Sequence, residues 1–328
     1  TSVERGLFPR GRIQYNKEVT LFVSFVFYIK EEKMNSIDVT GLTCDYGHGH
    51  GIFDLTFSVN AGEVFGFLGP NASGKTTTIR HLMGFVRPAS GSCQIEGRDC
   101  FTSASVIQET LGYLPGDIAL FPEMSGKAFV SFLARYRGMK NRGRVKELTD
   151  RFELDLKQPI RRMSKGDRQK LALVCAFMHD PSIVILDEPT ASLDLLMQHA
   201  FIDLILEEKK KGKTILMSSH RFSEVEKTCD RIGILKKGHL ATVSSLEDLR
   251  KTERRVYLVT LDNEEAAQAL CRENITVLER EGRIVKIAVY RDLRSLLSIL
   301  TNYPVSTLDN VGQTLEEVFL HYYGGENK

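Results

Sequence analysis

The nine residues GPNASGKTT, Gly69–Thr77, constrain this chain more than any other stretch. They fit G-x-x-x-x-G-K-[ST], a loop whose glycines let the backbone turn tightly around phosphate. The flanks agree with the motif. Val64–Leu68 before it is short, apolar and strand-like, and Thr76–Met83 after it opens a helix. A strand running through such a loop into a helix presents free N–H groups and the positive end of a dipole to an anion. Gly69, Pro70, Asn71, Ala72, Ser73 and Gly74 form the cradle, and Lys75 is placed to reach the β/γ-phosphates. The hydroxyl of Thr76, next to Thr77, is suited to ligating Mg²⁺.

With 328 residues the chain has room for two domains. A net charge of +2 exerts no pull toward nucleic acid or anionic lipid. The cysteines are scattered, with no C-x-x-C pair, which suits a reducing compartment better than a disulfide framework or a zinc site. No apolar run reaches the roughly 20 residues a membrane helix needs, so any membrane work passes through a partner. Residues 1–33 read differently from the rest. Val19–Ile29 is apolar but too short to span a bilayer, and Met34 is the first plausible initiator. Lys30-Glu31-Glu32 before it can be encoded as a ribosome-binding sequence, so 1–33 are expected to be translated leader, with a membrane tether as the alternative.

Beyond the leader, Ser36–Val39 and Ile52–Val59 read as strands separated by a turn-rich loop holding Tyr46, His48 and His50. A tyrosine there is either a packing aromatic or a ring for a purine to stack on; the histidines read as loop residues. Glu123–Arg162 turns helical, with Phe129, Phe132, Leu133 and Tyr136 on one expected face and Val145, Leu148 and Phe152 on another. This suggests a helical insertion, about 118–165, between two halves of an α/β core. Arg168–Met178 has the spacing of a half-buried helix. Ile183–Leu186 is a buried parallel strand ending in Asp187-Glu188, at the edge where ligands bind in open α/β sheets. Nucleotide-bound Mg²⁺ requires such a carboxylate. Helix and strand then alternate through Ser218-Ser219-His220 to about Leu246. From residue 247 to 328 the order βαββαβ suggests a small ferredoxin-like domain, followed by a helix at Leu315–Tyr323.

Taken together, these residues resemble the ATP-binding subunit of an ABC transporter, over 34–246. Gly69–Thr77 matches the Walker A loop, Met163–Lys170 the signature and Ile183–Glu188 the Walker B strand. Ser192-Leu193-Asp194 resembles the D-loop and His220 the switch histidine. GYLPGD at Gly112–Asp117, the MSKGDRQK signature and the C-terminal LEEVFLHYYG are similar to bacterial export-type subunits assigned to drugs, antibiotics or peptides. The resemblance implies a P-loop NTPase that hydrolyses ATP with Mg²⁺ and works as a homodimer. It would sit on the cytoplasmic face of the cell membrane and power a separate transmembrane permease, with no nucleic acid partner. Tyr46 would stack on adenine, Thr76 and Asp187 would hold Mg²⁺, Glu188 would act as general base and His220 would contact the γ-phosphate. Ser164 and Gly166 would meet ATP bound to the other copy, and Asp194 of the D-loop is counted among the nucleotide-binding residues. Two departures bear on catalysis. Gly116 stands where the family has Gln, with Asp117 as a candidate substitute at the metal. Lys165 and Asp167 replace Gly and Gln in the signature: Lys165 adds a cation that would favour phosphate, and Asp167 a negative charge that would oppose it unless the residue caps its own helix. The rival readings are a non-catalytic regulatory subunit and a soluble ATPase acting on nucleic acid or ribosomes, which usually carries a long coiled coil or tandem ATP domains.

Overall fold

The computed structural model describes residues 35–251, 254–290 and 293–311. The expected leader and the helix at Leu315–Tyr323 lie outside the described residues. Strand β1 (Asn35–Asp45) pairs antiparallel with β2 (Gly51–Asn60) and with β4 (Ser90–Ile95), and β5 (Arg98–Asp99) closes the order β2-β1-β4-β5. The alternation that marks a one-sided sheet is visible in β1 and β2. Ile37, Val39, Ile52, Leu55, Phe57 and Val59 are all buried. They pack on Phe65 and Phe67 of β3 (Val64–Leu68) and on Ile79 and Leu82 of α1 (Lys75–Leu82).

The second sheet carries the functional edge. Its order is β10-β9-β3-β8-β7-β6, with β6 (Gly112–Leu114), β7 (Ile183–Asp187), β8 (Thr214–Ser219) and β9 (Arg231–Lys236) parallel to β3. Only β10 (His239–Ser245) runs antiparallel, as a hairpin from β9. Every residue of β3, β7 and β8 is buried, the expected state of parallel strands covered on both faces. Because β3, β8 and β7 are neighbours, their C-terminal ends lie side by side. The phosphate loop, Ser218–His220 and Asp187-Glu188 therefore emerge at one edge, although as many as 151 positions separate Gly69 from His220 in the chain.

The helices follow: α2 (Ala104–Thr110), α3 (Gly126–Tyr136), α4 (Gly143–Arg151), α5 (Lys165–Phe177), α6 (Leu195–Lys210) and α7 (Phe222–Thr228). The helical insertion forms, but one of its expected faces does not. Phe129 and Val130 are buried, whereas Phe132 is 40 % and Tyr136 83 % exposed. Leu133 of the expected face is half-buried and packs on the same core as Phe129, while the face also takes in Val130 and the fully buried Ala134 and leaves Phe132 and Tyr136 outside. Two ion pairs fasten the insertion to α6: Arg144 meets the fully buried Glu208, and Arg151 meets Glu207 at 2.6 Å.

The chain then passes through α8 (Leu246–Lys251) into β11 (Arg254–Leu261), α9 (Glu264–Leu270), β12 (Thr276–Glu281), β13 (Ile284–Tyr290), α10 (Leu293–Leu300) and β14 (Val305–Val311). These strands form an antiparallel sheet in the order β12-β13-β11-β14, the ferredoxin-like arrangement expected from βαββαβ. The unit has its own core, including Val259, Leu261, Leu270, Val285, Ile287 and Leu296. Among the described residues no helix is long and apolar enough to cross a membrane.

Candidate active site

The phosphate loop is built on close backbone approach. A Cβ on Gly69 would lie 2.4 Å from Ser73 Oγ, and one on Gly74, whose φ is +111°, would lie 2.7 Å from Ile52. Neither position admits a side chain without displacing the loop. Ser73 Oγ is buried without a hydrogen-bond partner, and Lys75 is 6 % exposed. Lys75 Nζ donates to the carbonyls of Gly69 (2.7 Å) and Pro70 (3.1 Å), and lies 3.2 Å from Glu188 Oε1. The other carboxylate oxygen of Glu188 lies 2.7 Å from His220 Nδ1. The structure thus joins Lys75, Glu188 and His220 through one carboxylate. Glu188 itself has φ +49°, a left-handed turn directly after β7 that carries its side chain out of the strand register.

Asp187 stays behind in the sheet, 1 % exposed. Ser218 ties it to its neighbour, donating to Asp187 Oδ1 (2.6 Å) while accepting from the Glu188 N–H (2.9 Å). Asp187 Oδ2 is buried with no partner. An unpaired carboxylate oxygen at the edge where the phosphate loop ends fits a hard cation or one of its waters, with the Thr76 hydroxyl as the second protein group. Asp187 also acts at a distance: burial, reinforced by its charge, pushes the Tyr113 phenol up to about 12. Gly116 approaches the same carboxylate so closely that a Cβ there would meet Oδ2 at 2.8 Å. Asp117 beside it is exposed.

Tyr46, 57 % exposed, lines one open cavity together with Asn71, Ala72, Ser73, Gly74, Lys75, Thr76, Thr77 and Glu188. This puts the ring beside the loop and on the surface, which favours a stacking platform over a packing aromatic. His50 and Gly51 line the same cavity, and neither was singled out at this site from the sequence. No local sequence signal marks Gly51; it opens β2, and a Cβ there would lie 2.1 Å from the Cys44 carbonyl.

Ser164, Gly166 and Asp194 do not line that cavity. A second group brings Ser164 and Gly166 beside the turn that runs on to Asp194: a Cβ on Gly166 would be 3.0 Å from the Ser192 carbonyl. Asp194 caps α6 by accepting from the Met197 N–H at 2.9 Å. The expected cap of α5 is corrected: Ser164, not Asp167, is the N-cap. Its Oγ accepts from the Asp167 N–H (3.0 Å) and donates to Asp167 Oδ2 (2.8 Å). Asp167 sits three positions in, where its carboxylate accepts from the Ser164 hydroxyl, because the helix begins at Lys165. The two groups are linked through Gln169, which donates to the Pro189 carbonyl at 2.8 Å.

Comparison with known proteins gives a consistent result. The family model described as ABC transporter matches residues 52–191. An uncharacterized ABC transporter ATP-binding protein of Methanocaldococcus jannaschii is 34 % identical over 233 residues, 69 % of this chain and 83 % of the relative. The bacitracin transport ATP-binding protein of Bacillus licheniformis is 30 % identical over 298 residues, 88 % of this chain and 97 % of its own length. A solved structure of the ATP binding subunit of an ABC transporter superposes with a TM-score of 0.60 at 31 % identity, covering 66 % of this chain and 92 % of that one.

Proposed function

We propose a function that proceeds from family membership: this chain belongs to the ABC transporter ATP-binding proteins and is an ATPase of that type. In our reading two copies clamp two ATP molecules between the phosphate loop of one and the Ser164–Gly166 turn of the other. The link from Lys75 through Glu188 to His220 carries the catalytic part. The pairing is supported by the division of the site residues into two groups, since Ser164, Gly166 and Asp194 do not line the cavity shared by Tyr46 and the phosphate loop.

Phosphoryl transfer to water is mostly positioning and electrostatic stabilisation. An arriving triphosphate draws Lys75 away from Glu188 and from the carbonyls of Gly69 and Pro70, onto its own oxygens. Glu188, so released, is free to orient water and accept its proton, while His220 at its other oxygen faces the terminal phosphate. Thr76 and Asp187 are the residues that would hold Mg²⁺, which supplies neutralisation of phosphate charge when bound. Asp117 is a candidate to supply a further contact in place of the missing Gln. Tyr46 carries the adenine. We further assign residues 34–246 to the ATPase domain and 247–328 to an accessory domain. The dimer drives a separate permease from the cytoplasmic face of the membrane and moves cargo outward.

The decisive measurement is ATP turnover and oligomeric state of Glu188→Gln. It is expected to bind ATP, to elute as a dimer with ATP and Mg²⁺, and to lose at least about 100-fold in kcat. Hydrolysis at the unmodified rate, or a monomer under saturating ATP, defeats the assignment.

A further inference from the structure

We infer that Glu224 is a positioning residue of this site: it clips the turn after β7 to the segment after β8, and so holds His220 against Glu188. The inference rests on the reading of Glu188 and His220 given above. Glu224 lies in the first turn of α7 and is only 4 % exposed. Its Oε2 accepts from Thr190 Oγ1 at 2.7 Å and from Ser219 Oγ at 3.2 Å. Thr190 follows Glu188 by two residues, and Ser219 immediately precedes His220. Ser219 Oγ also accepts from the Arg221 N–H at 2.9 Å, closing a small ring across His220. One carboxylate therefore ties down both neighbours of the Glu188–His220 contact without touching either.

The same clip reaches the second group of residues. Gln169 of α5 holds the Pro189 carbonyl, one residue from Thr190. The turn that runs on to Ser192 and Asp194 thus shares its anchor with His220. Movement of that turn, as when a second copy packs against it, is passed to His220 through a side chain buried in this copy. Fold stability does not account for the arrangement, since Glu224 Oε1 is buried with no partner and an apolar residue of the same size would avoid that loss. The charged and titratable groups facing it are Glu188, Arg221 and the Cys229 thiol.

The test is single-turnover ATP hydrolysis by the full chain carrying Glu224→Ala, Glu224→Gln or Thr190→Val, each alone and combined with His220→Ala. Glu224→Ala and Thr190→Val are each expected to lower the rate roughly 10-fold with ATP affinity changed less than about twofold, as for loss of positioning. Glu224→Gln keeps an acceptor for both hydroxyls and should stay within about threefold of the unmodified rate. In the His220→Ala background neither Glu224→Ala nor Thr190→Val should cost anything further. The inference is overturned if either variant multiplies the His220→Ala loss by its full factor, or if it weakens ATP binding and leaves the rate alone. Should Glu224→Ala not fold, Thr190→Val removes the same bond and decides the matter by the same cycle. An unmodified chain without ATPase activity sinks the functional reading itself; normal activity in the Glu224 and Thr190 variants beside an inactive Glu188→Gln sinks only the clip.

Discussion

Gly116 offers the sharpest test of how this site is built. Family resemblance marks it as a missing glutamine, and on that ground alone restoring Gln would improve the enzyme. The structure points the other way. A Cβ at 116 would stand 2.8 Å from Asp187 Oδ2 and 3.2 Å from its Cγ, whereas ordinary contact begins near 3.4 Å. Something must yield by about 0.6 Å. Asp187 is 1 % exposed and is held from the other side by Ser218, which also anchors the Glu188 amide. Gly116 is exposed, so its loop shares the displacement, which keeps the stability cost near the lower end of the usual 1–3 kcal/mol for overpacking, about 1 kcal/mol. The functional cost is larger. A misplacement of 1 Å at a reacting centre costs up to about 100-fold, so 0.6 Å shared between loop and carboxylate is worth roughly 10-fold. We expect Gly116→Ala and Gly116→Gln each to lower kcat about 10-fold and to raise the Mg²⁺ concentration needed for half-maximal turnover. Nucleotide affinity measured without Mg²⁺ should be unchanged. Turnover by Gly116→Gln faster than that of the unmodified chain would refute the steric account.

Three further outcomes follow from contacts already described. Burial pushes the Glu224 carboxyl from its ordinary 4.5 up to about 7, aided by the charge of Glu188 and opposed by Thr190, Ser219 and Arg221. The folded chain therefore holds this proton more tightly than the unfolded chain, and this contribution is full below about 4.5 and is lost as pH rises to about 7, by up to about 3 kcal/mol; Glu224→Gln, which cannot ionise, should gain in Tm relative to the unmodified chain over that window. Arg144→Ala leaves Glu208, fully buried, with only Lys211 and Lys213, and should cost about 1–3 kcal/mol in denaturant unfolding. Asp117→Ala should lower Mg²⁺-dependent turnover while equilibrium ATP binding stays as it was.

The elements that bind phosphate were legible because their chemistry is local. Gly69–Thr77 needs only a strand before it and a helix after it, and both are adjacent in sequence. Val64–Leu68 and Ile183–Leu186 read as buried strands because parallel pairing on both sides demands unbroken apolar runs. The βαββαβ order was legible from the succession of short strand-like and helical stretches along the chain. What escaped depended on partners far away in the chain. Nothing near Phe132 or Tyr136 shows that Ala134 turns inward and leaves them out. Ser164 and Asp167 each make a plausible cap, and only the first helical residue, Lys165, decides between them. Glu224 reads as a surface position of a short helix until Thr190, 34 residues earlier, is seen to point at it. The approach of Gly116 to Asp187 joins the edge strand β6 to β7 across a helical insertion, a closeness that only the sheet order reveals.

The left-handed backbone at Glu188 sets how this position can change. An ordinary side chain in that conformation costs on the order of 1 kcal/mol, and a β-branched one more. Substitution by Val or Thr therefore asks two things at once, since the carboxylate is lost and the peptide turn that aims it resists the replacement. Drift at this position runs most easily toward Asn or Gly, which tolerate the turn and, on the proposed reading of Glu188 as base, remove proton abstraction. On that same proposed reading, a lineage that stops hydrolysing ATP while still binding it would need one change here, and the architecture would be left standing.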